Sequence, residues 1–217
     1  VRASVDNYGG GSGGIYFSTK IKKFGISANL NKGMYRNPGY ESTGFRTNLT
    51  DFSYKYLNQH TEGRSRNNNQ NGYMDLSYEI DSLNLISVSA STYSGKNSSK
   101  MDLSTAMLSN NLDTVQSYKQ HNESSGMWGG YNANFDYQRS FMKPDKLFTF
   151  SYHLDYSPGN NESDMDLSGI RNYEDRHQKI ESQSLSTEHT FQADYTEPFN
   201  KKHILEIGAK YIFRNNG

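Results

Sequence analysis

Apolar and polar residues alternate with a period of two in segment after segment of this chain, and that pattern restricts its fold more than any other feature. Residues 147–156 put Phe148, Phe150, Tyr152, Leu154 and Tyr156 on one side and Thr149, Ser151, His153 and Asp155 on the other. Successive side chains of a β-strand point to opposite faces, so this segment is a ribbon with one greasy and one wet side. The alternation recurs over 14–21, 24–34, 73–80, 86–91, 129–138, 190–195 and 203–213. The best helix-period stretch, 101–115, falls within a polar connection.

The links between these segments are lopsided. Short ones sit at Lys22-Lys23, at Asp81-Ser82, at 139–145 with Pro144, and at 197–201 with Pro198. Long polar stretches occupy 37–70, 96–120 and 158–180. Short and long alternate strictly if 37–70 is one connection, so the strand-like run Phe52-Ser-Tyr-Lys-Tyr-Leu57 is taken as an extension standing above the membrane. The resulting hairpins carry every tight turn on one side and every long loop on the other, as outer-membrane barrels do. The strands also suit a tilted crossing of about 9–11 residues. The expected fold is all-β: an antiparallel up-and-down transmembrane β-barrel, here a segment of about eight strands with short periplasmic turns and long extracellular loops, forming one unit over 1–217.

The competing reading is a soluble β-sandwich, acting as a binding or adhesion module, with the greasy faces packed on each other. Two features favour lipid. Aromatic residues mark the ends of the apolar faces, Tyr137 and Tyr195 on the turn side and Tyr156 and Phe213 on the loop side, where amphipathic rings settle at headgroup level. The opposite faces are strongly polar, as a wet lumen requires. Two residues are discordant: His189 and Thr187 share the parity of Phe191 near the middle of the apolar band, where either a neutral imidazole is tolerated or a local bulge or another register intervenes.

Composition agrees. Hydrophobic residues make up 33% of the chain, too few for an ordinary two-layer core, while 13% aromatics are too many for a disordered chain. There is no cysteine, hence no disulfide framework or thiolate chemistry. A formal net charge of +0 argues against a nucleic-acid partner, and no apolar run approaches a transmembrane helix. Hydrocarbon cannot satisfy the open edges of a sheet, so the strands either close on themselves or belong to a larger barrel. Val1-Arg-Ala-Ser-Val-Asp6 reads as part of another strand, and Phe213-Arg-Asn-Asn-Gly217 lies just beyond one, so a piece of a larger barrel is expected.

Three stretches carry a family likeness: Tyr8-Gly-Gly-Gly-Ser-Gly-Gly14 with Ile15 to Asn29, Leu76 to Ser87, and Asp194 to Tyr211 with its Pro-Phe turn. In these the chain resembles the barrel region of TonB-dependent outer-membrane receptors, in the Bacteroidetes-type outer membrane β-barrel family. The resemblance implies a barrel of about 22 strands, a plug domain, and uptake of scarce nutrients powered from the inner membrane. Residues 1–217 contain no plug, so the TonB complex would be met through that missing domain; the substrate does not carry over. Outer-membrane lipid and an unknown small molecule, glycan or chelate are the other expected partners.

The polar faces make Asp75, Glu79, Asp136, His153, Asp155, Asp194, Glu206 and Lys210 the expected lumen-facing residues. Tyr54, Tyr56, Tyr118 and Tyr173 are loop aromatics able to stack on a sugar or chelate, with ordinary loop packing as the plainer account. His153 and Asp155 share a wet face and could activate water in a small outer-membrane enzyme, but two polar neighbours on a lumen strand need no such role. The six histidines show no His-x-x-x-His spacing, and the one Glu-x-x-His, Glu174 to His177, lies in a charged run. Glu174 to His177 reads as a solvated charged run, and Asn161 to Asp166 lacks the glycine and closing glutamate of a calcium loop. The glycines at 9–14 precede a strand rather than the Lys-Ser/Thr and helix of a phosphate-binding loop. The sequons at Asn48, Asn97, Asn122 and Asn161 are what chance gives in an Asn/Ser-rich chain. No enzyme activity, metal or cofactor is expected.

Overall fold

Nine strands follow one another in a computed structural model that describes residues 1–50, 53–200 and 203–217. They are β1 Arg2–Val5, β2 Gly11–Ile21, β3 Phe24–Thr47, β4 Tyr56–Glu79, β5 Asn84–Leu108, β6 Thr114–Ser140, β7 Leu147–Arg171, β8 Arg176–Asn200 and β9 His203–Asn216. Each pairs antiparallel with the next, and all nine lie in a single sheet in chain order. There is no helix among the described residues. The 101–115 stretch is strand up to Leu108, a short connection, and strand again from Thr114.

The registers assemble the period-two segments into continuous rows. One runs Thr19, Ile26, Leu76, Val88, Phe135, Tyr152, Phe191, Tyr211 across β2 to β9. The rows on either side contain Ile21, Phe24, Tyr78, Ile86, Tyr137 and Phe150, and Phe17, Ala28, Met74, Ala90, Ala133 and Leu154. Every apolar face read from the alternation therefore merges into one surface. No second layer covers it: the only buried hydrophobic side chain among the described residues is Leu167, while Phe17 is 56% and Tyr211 65% exposed. Exposing so large an apolar patch to water is a liability for a soluble domain. The sandwich reading needs a covering sheet, and the described residues supply none.

His189 lies on this surface without any register shift in the β7–β8 ladder. Its ring stacks on Tyr152 at 6.1 Å between centroids, and the Tyr152 hydroxyl lies 2.9 Å from Nδ1. A polar atom inside the band is thus satisfied by its cross-strand neighbour, and no bulge is required. Aromatic pairs close the band at both ends: Tyr131 stacks on Tyr156 at 4.9 Å on the loop side, and Tyr137 meets Phe148 edge-on at 6.4 Å on the turn side. From Phe148 to Tyr156 the chain rises about 27 Å, enough for a tilted crossing of the hydrocarbon.

The tight turns fall where the alternation breaks. Lys22 adopts φ 54° between β2 and β3, and Asp81 Oδ1 accepts the Leu83 and Asn84 amides between β4 and β5. The third short link covers 141–146, so 139–140 still belong to β6. Of the fourth, 197–200 belong to β8, and Lys201 lies outside the described residues.

The long loops are corrected by the structure. Polar stretches 37–70, 96–120 and 158–180 are mostly the outer halves of β3 to β8, which run 24 to 27 residues, more than twice a membrane crossing. The connections themselves, 48–55, 109–113 and 172–175, are short. The ladder hydrogen bonds of two neighbours hold these residues extended although their composition is that of a loop. Of the run 52–57, Tyr56 and Leu57 open β4, Ser53 to Lys55 belong to the connection, and Phe52 lies outside the described residues. The strand count rises from about eight to nine because Arg2–Val5 pairs with Gly11–Gly14.

Candidate functional site

All eight polar residues expected on the wet side share one face. A row runs Ser27, Asp75, Ser89, Asn134, His153, Thr190, and the next runs Ser77, Ser87, Asp136, Ser151, Gln192, Lys210. Asp155, Asp194 and Glu206 stand opposite Asn132, Thr149 and Thr196 in adjoining rows, and Glu79 takes the Lys20 ammonium at 2.7 Å. Cross-strand hydrogen bonds knit the face: Ser151 Oγ donates to Asp136 at 2.6 Å, Asn134 Nδ2 to Ser89 Oγ at 3.0 Å, and Gln192 Nε2 to Asp194 at 2.8 Å. Such a surface can line water and bind polar solutes, while half of each strand remains available to lipid.

The His153–Asp155 couple does not form. His153 Nδ1 lies 2.5 Å from Asn134 Oδ1, and Asp155 accepts a hydrogen bond from Ser157 Oγ at 3.1 Å. The imidazole is thus held by an amide oxygen and not by the Asp155 carboxylate that was to orient it.

The four tyrosines do not converge on one site. Tyr118 and Tyr173 stack at 4.3 Å, and Tyr56 stacks on Phe45 at 5.6 Å. Tyr56 and Tyr118 belong to strands β4 and β6, not to loops, whereas Tyr54 and Tyr173 lie in connections. Tyr56, Tyr118 and Tyr173 thus each pack on an aromatic neighbour, as side chains near hairpin tips ordinarily do.

A belt of charge on the outward face was not anticipated. Beyond the Tyr131–Tyr156 row the lipid-side parity turns polar, and one row reads Glu62, Asp102, His121, Asp166, His177 across β4 to β8. The next reads Arg64, Lys100, Glu123, Asp164, Lys179. His121 is clasped by Asp102 at 2.6 Å and Glu123 at 3.1 Å, and Lys179 by Glu181 at 2.7 Å and Glu162 at 2.9 Å. His177 Nδ1 lies 2.8 Å from Asp166 and 3.4 Å from Asp164, so these three groups, singled out separately as solvated runs, stand within reach of one cation. The signal was present in the sequence as His-x-Glu at 60–62 and 121–123 and Asp-x-Asp at 164–166. Spacing by two puts both groups on one face of a strand, whereas His-x-x-x-His and Glu-x-x-His are spacings of a helix.

The hydrogen bond to Asp102, then that to Glu123, raises the pKa of His121 above the ordinary imidazole value. Its stabilising contribution is complete below about pH 6.5, where the unfolded imidazole is also protonated, and fades as pH rises through the folded value. Amide exchange across 100–123, corrected for intrinsic rates, should accordingly be slower at pH 6 than at pH 9. His121→Gln should flatten that difference; an unchanged pH response in the variant would remove His121 as its source. With His121 42% exposed at its side chain, the effect is modest and salt-sensitive.

Residues 139–217, from the end of β6 through β9, match the family model described as an outer membrane protein beta-barrel family. No curated protein matches the chain. With one uncovered amphipathic sheet of up-and-down strands, that match places these residues in the wall of a bacterial outer-membrane β-barrel.

Proposed function

We propose that this outer-membrane wall belongs to a TonB-dependent receptor that takes up a scarce nutrient. The observation that carries the reading is the height of the strands. Only about 10 residues of each are needed to cross the hydrocarbon, yet β3 to β8 run 24 to 27 residues. The excess builds a rigid extracellular vestibule with a polar inner face, suited to capturing a solute before transport. The edges of β1 and β9 are not paired with each other, so in a bilayer additional strands complete the barrel. Nine strands would form less than half of a 22-strand wall, whose lumen has room for a plug. The substrate would be a small molecule, glycan or chelate meeting Asp75, Asp136, His153 and their neighbours on the inner face. The likeness to Bacteroidetes-type receptors noted in the sequence supports the same reading. The protein has no catalytic role in this proposal.

The test is energy-coupled uptake. Full-length protein in its outer membrane should bind the isolated periplasmic domain of TonB and lose transport, but retain surface binding of its nutrient, when the inner-membrane gradient is collapsed. A full-length protein that binds no TonB domain would leave a passive barrel in place of a receptor.

A further inference from the structure

Three arginines on the outward face share a cleft and have no carboxylate of their own. Arg36 of β3 stands directly opposite Arg66 of β4. Arg64 lies two residues further along the same face, opposite Lys100 of β5. All four side chains are exposed, and they line one open cleft of about 680 Å³. The cleft also contains Glu123, Glu162 and Asp164, but each has another partner: Glu123 pairs with Lys100, Glu162 with Lys179, and Asp164 lies 3.4 Å from His177. Among the described residues no ion pair reaches Arg36, Arg64 or Arg66, and Arg66 points one nitrogen at the Met34 sulfur, 3.2 Å away.

Like charges set directly opposite each other destabilise a β ladder unless something neutralises them. Guanidinium groups present forks of donors that match phosphate oxygens two at a time. The cleft also stands at a particular height. The last apolar row on these strands is Leu30, Gly72 and Thr92; Arg36 lies six residues beyond Leu30, about 20 Å along the strand. Lys32 and Lys96 occupy the same face in between, so a basic path climbs from the hydrocarbon boundary to the arginines. The inward face of the same strands carries asparagines and serines instead. A soluble ligand bound for the lumen gains nothing from cations on the outside of the wall; an anionic lipid headgroup beside the wall does.

We propose that Arg36, Arg64 and Arg66 form a binding site for the phosphates of an outer-leaflet glycolipid headgroup, with Lys32 and Lys96 lining its approach. The site rests on the membrane placement of the sheet and is independent of energy coupling.

Full-length protein in neutral detergent is titrated with a bisphosphorylated glycolipid, its dephosphorylated form, and inorganic pyrophosphate. The expected result is binding of the phosphorylated glycolipid that weakens with salt, with at least tenfold lower affinity in the Arg64→Gln, Arg66→Gln double variant. Arg171→Gln, elsewhere on the outer part of the wall, should bind as the native protein does. Arg36→Gln alone, across the cleft, should show a smaller loss in the same direction and covers a failure of the double variant to fold. Equal binding of the phosphorylated and dephosphorylated glycolipids overturns the proposal. So does unchanged affinity in folded Arg36→Gln and double variants. Pyrophosphate binding without glycolipid binding would assign the cleft to a soluble phosphate and overturn the lipid source.

Discussion

Val88→Arg should cost the barrel about 2–4 kcal/mol in a bilayer, whereas Ser89→Arg, one residue along, should cost about 1 kcal/mol or less. Val88 sits in the middle row of the apolar surface, between Leu76 and Phe135. Its depth puts a charge at the bilayer midplane, where neither snorkelling nor pairing relieves it. Ser89 stands between Asp75 and Asn134 on the polar face, and a cation there meets a carboxylate. The comparison isolates the direction of the side chain, since the two positions share a strand and nearly the same depth. Urea titration of full-length protein folded into lipid vesicles reads both. If Ser89→Arg proved the more damaging, the Phe/Tyr/Leu surface would be facing protein and the polar one the outside.

Gly95→Val should destabilise the extracellular part of the wall and displace an aromatic side chain. The ring of Trp128 lies over Gly95 from the neighbouring strand, so a Cβ there would fall on ring atoms Cε2 and Cζ2. Trp128 also leans on Tyr93 at 6.1 Å and cannot move aside without leaving that contact. Overpacking of this kind costs about 1–3 kcal/mol. Trp128 is the one tryptophan of residues 1–217, and its emission is read with any tryptophan elsewhere in the full-length protein replaced by phenylalanine. A red-shifted emission and earlier unfolding are expected in Gly95→Val, and Trp128→Ala should recover most of the stability when combined with it. A double variant no more stable than the single one would show that the backbone, not the ring, needs the glycine.

How far the fold was legible depended on which solvent each half of a strand meets. Where lipid lies on one side and water on the other, the two demands alternate along the chain, and Phe148 to Tyr156 can be assigned to faces by inspection. The same inspection located Lys22-Lys23 and Asp81-Ser82 as turns, because the alternation stops there. Above the membrane both faces are polar and the period vanishes. Arg64-Ser-Arg-Asn-Asn-Asn-Gln-Asn71 contains no apolar residue and is rich in asparagine, a poor strand former, yet all of it lies in β4. What holds it extended is backbone pairing with β3 and β5, which side-chain composition does not encode. The charged belt was hidden for the same reason: its members look like scattered loop residues until the ladder aligns them. Arg36 and Arg66 become neighbours only through the register of the β3–β4 hairpin, and the irregularity at Asn37/Tyr40 defeats simple counting back from its tip.

That irregularity governs orientation beyond it. β3 advances from Asn37 to Tyr40 while β4 moves only from Ser65 to Gly63, with Pro38 and Gly39 in the gap. The single surplus residue reverses the parity of everything distal on β3. Tyr40 is thereby turned inward over Gly63, and Glu41 outward beside Glu62 and His60. A one-residue deletion elsewhere in the paired part of β3 would reverse the facing of the residues beyond it, but at Pro38-Gly39 it would iron the kink flat. The tip of the hairpin is therefore aimed by a local defect in the weave, and its aim is adjustable without disturbing the membrane-embedded part below.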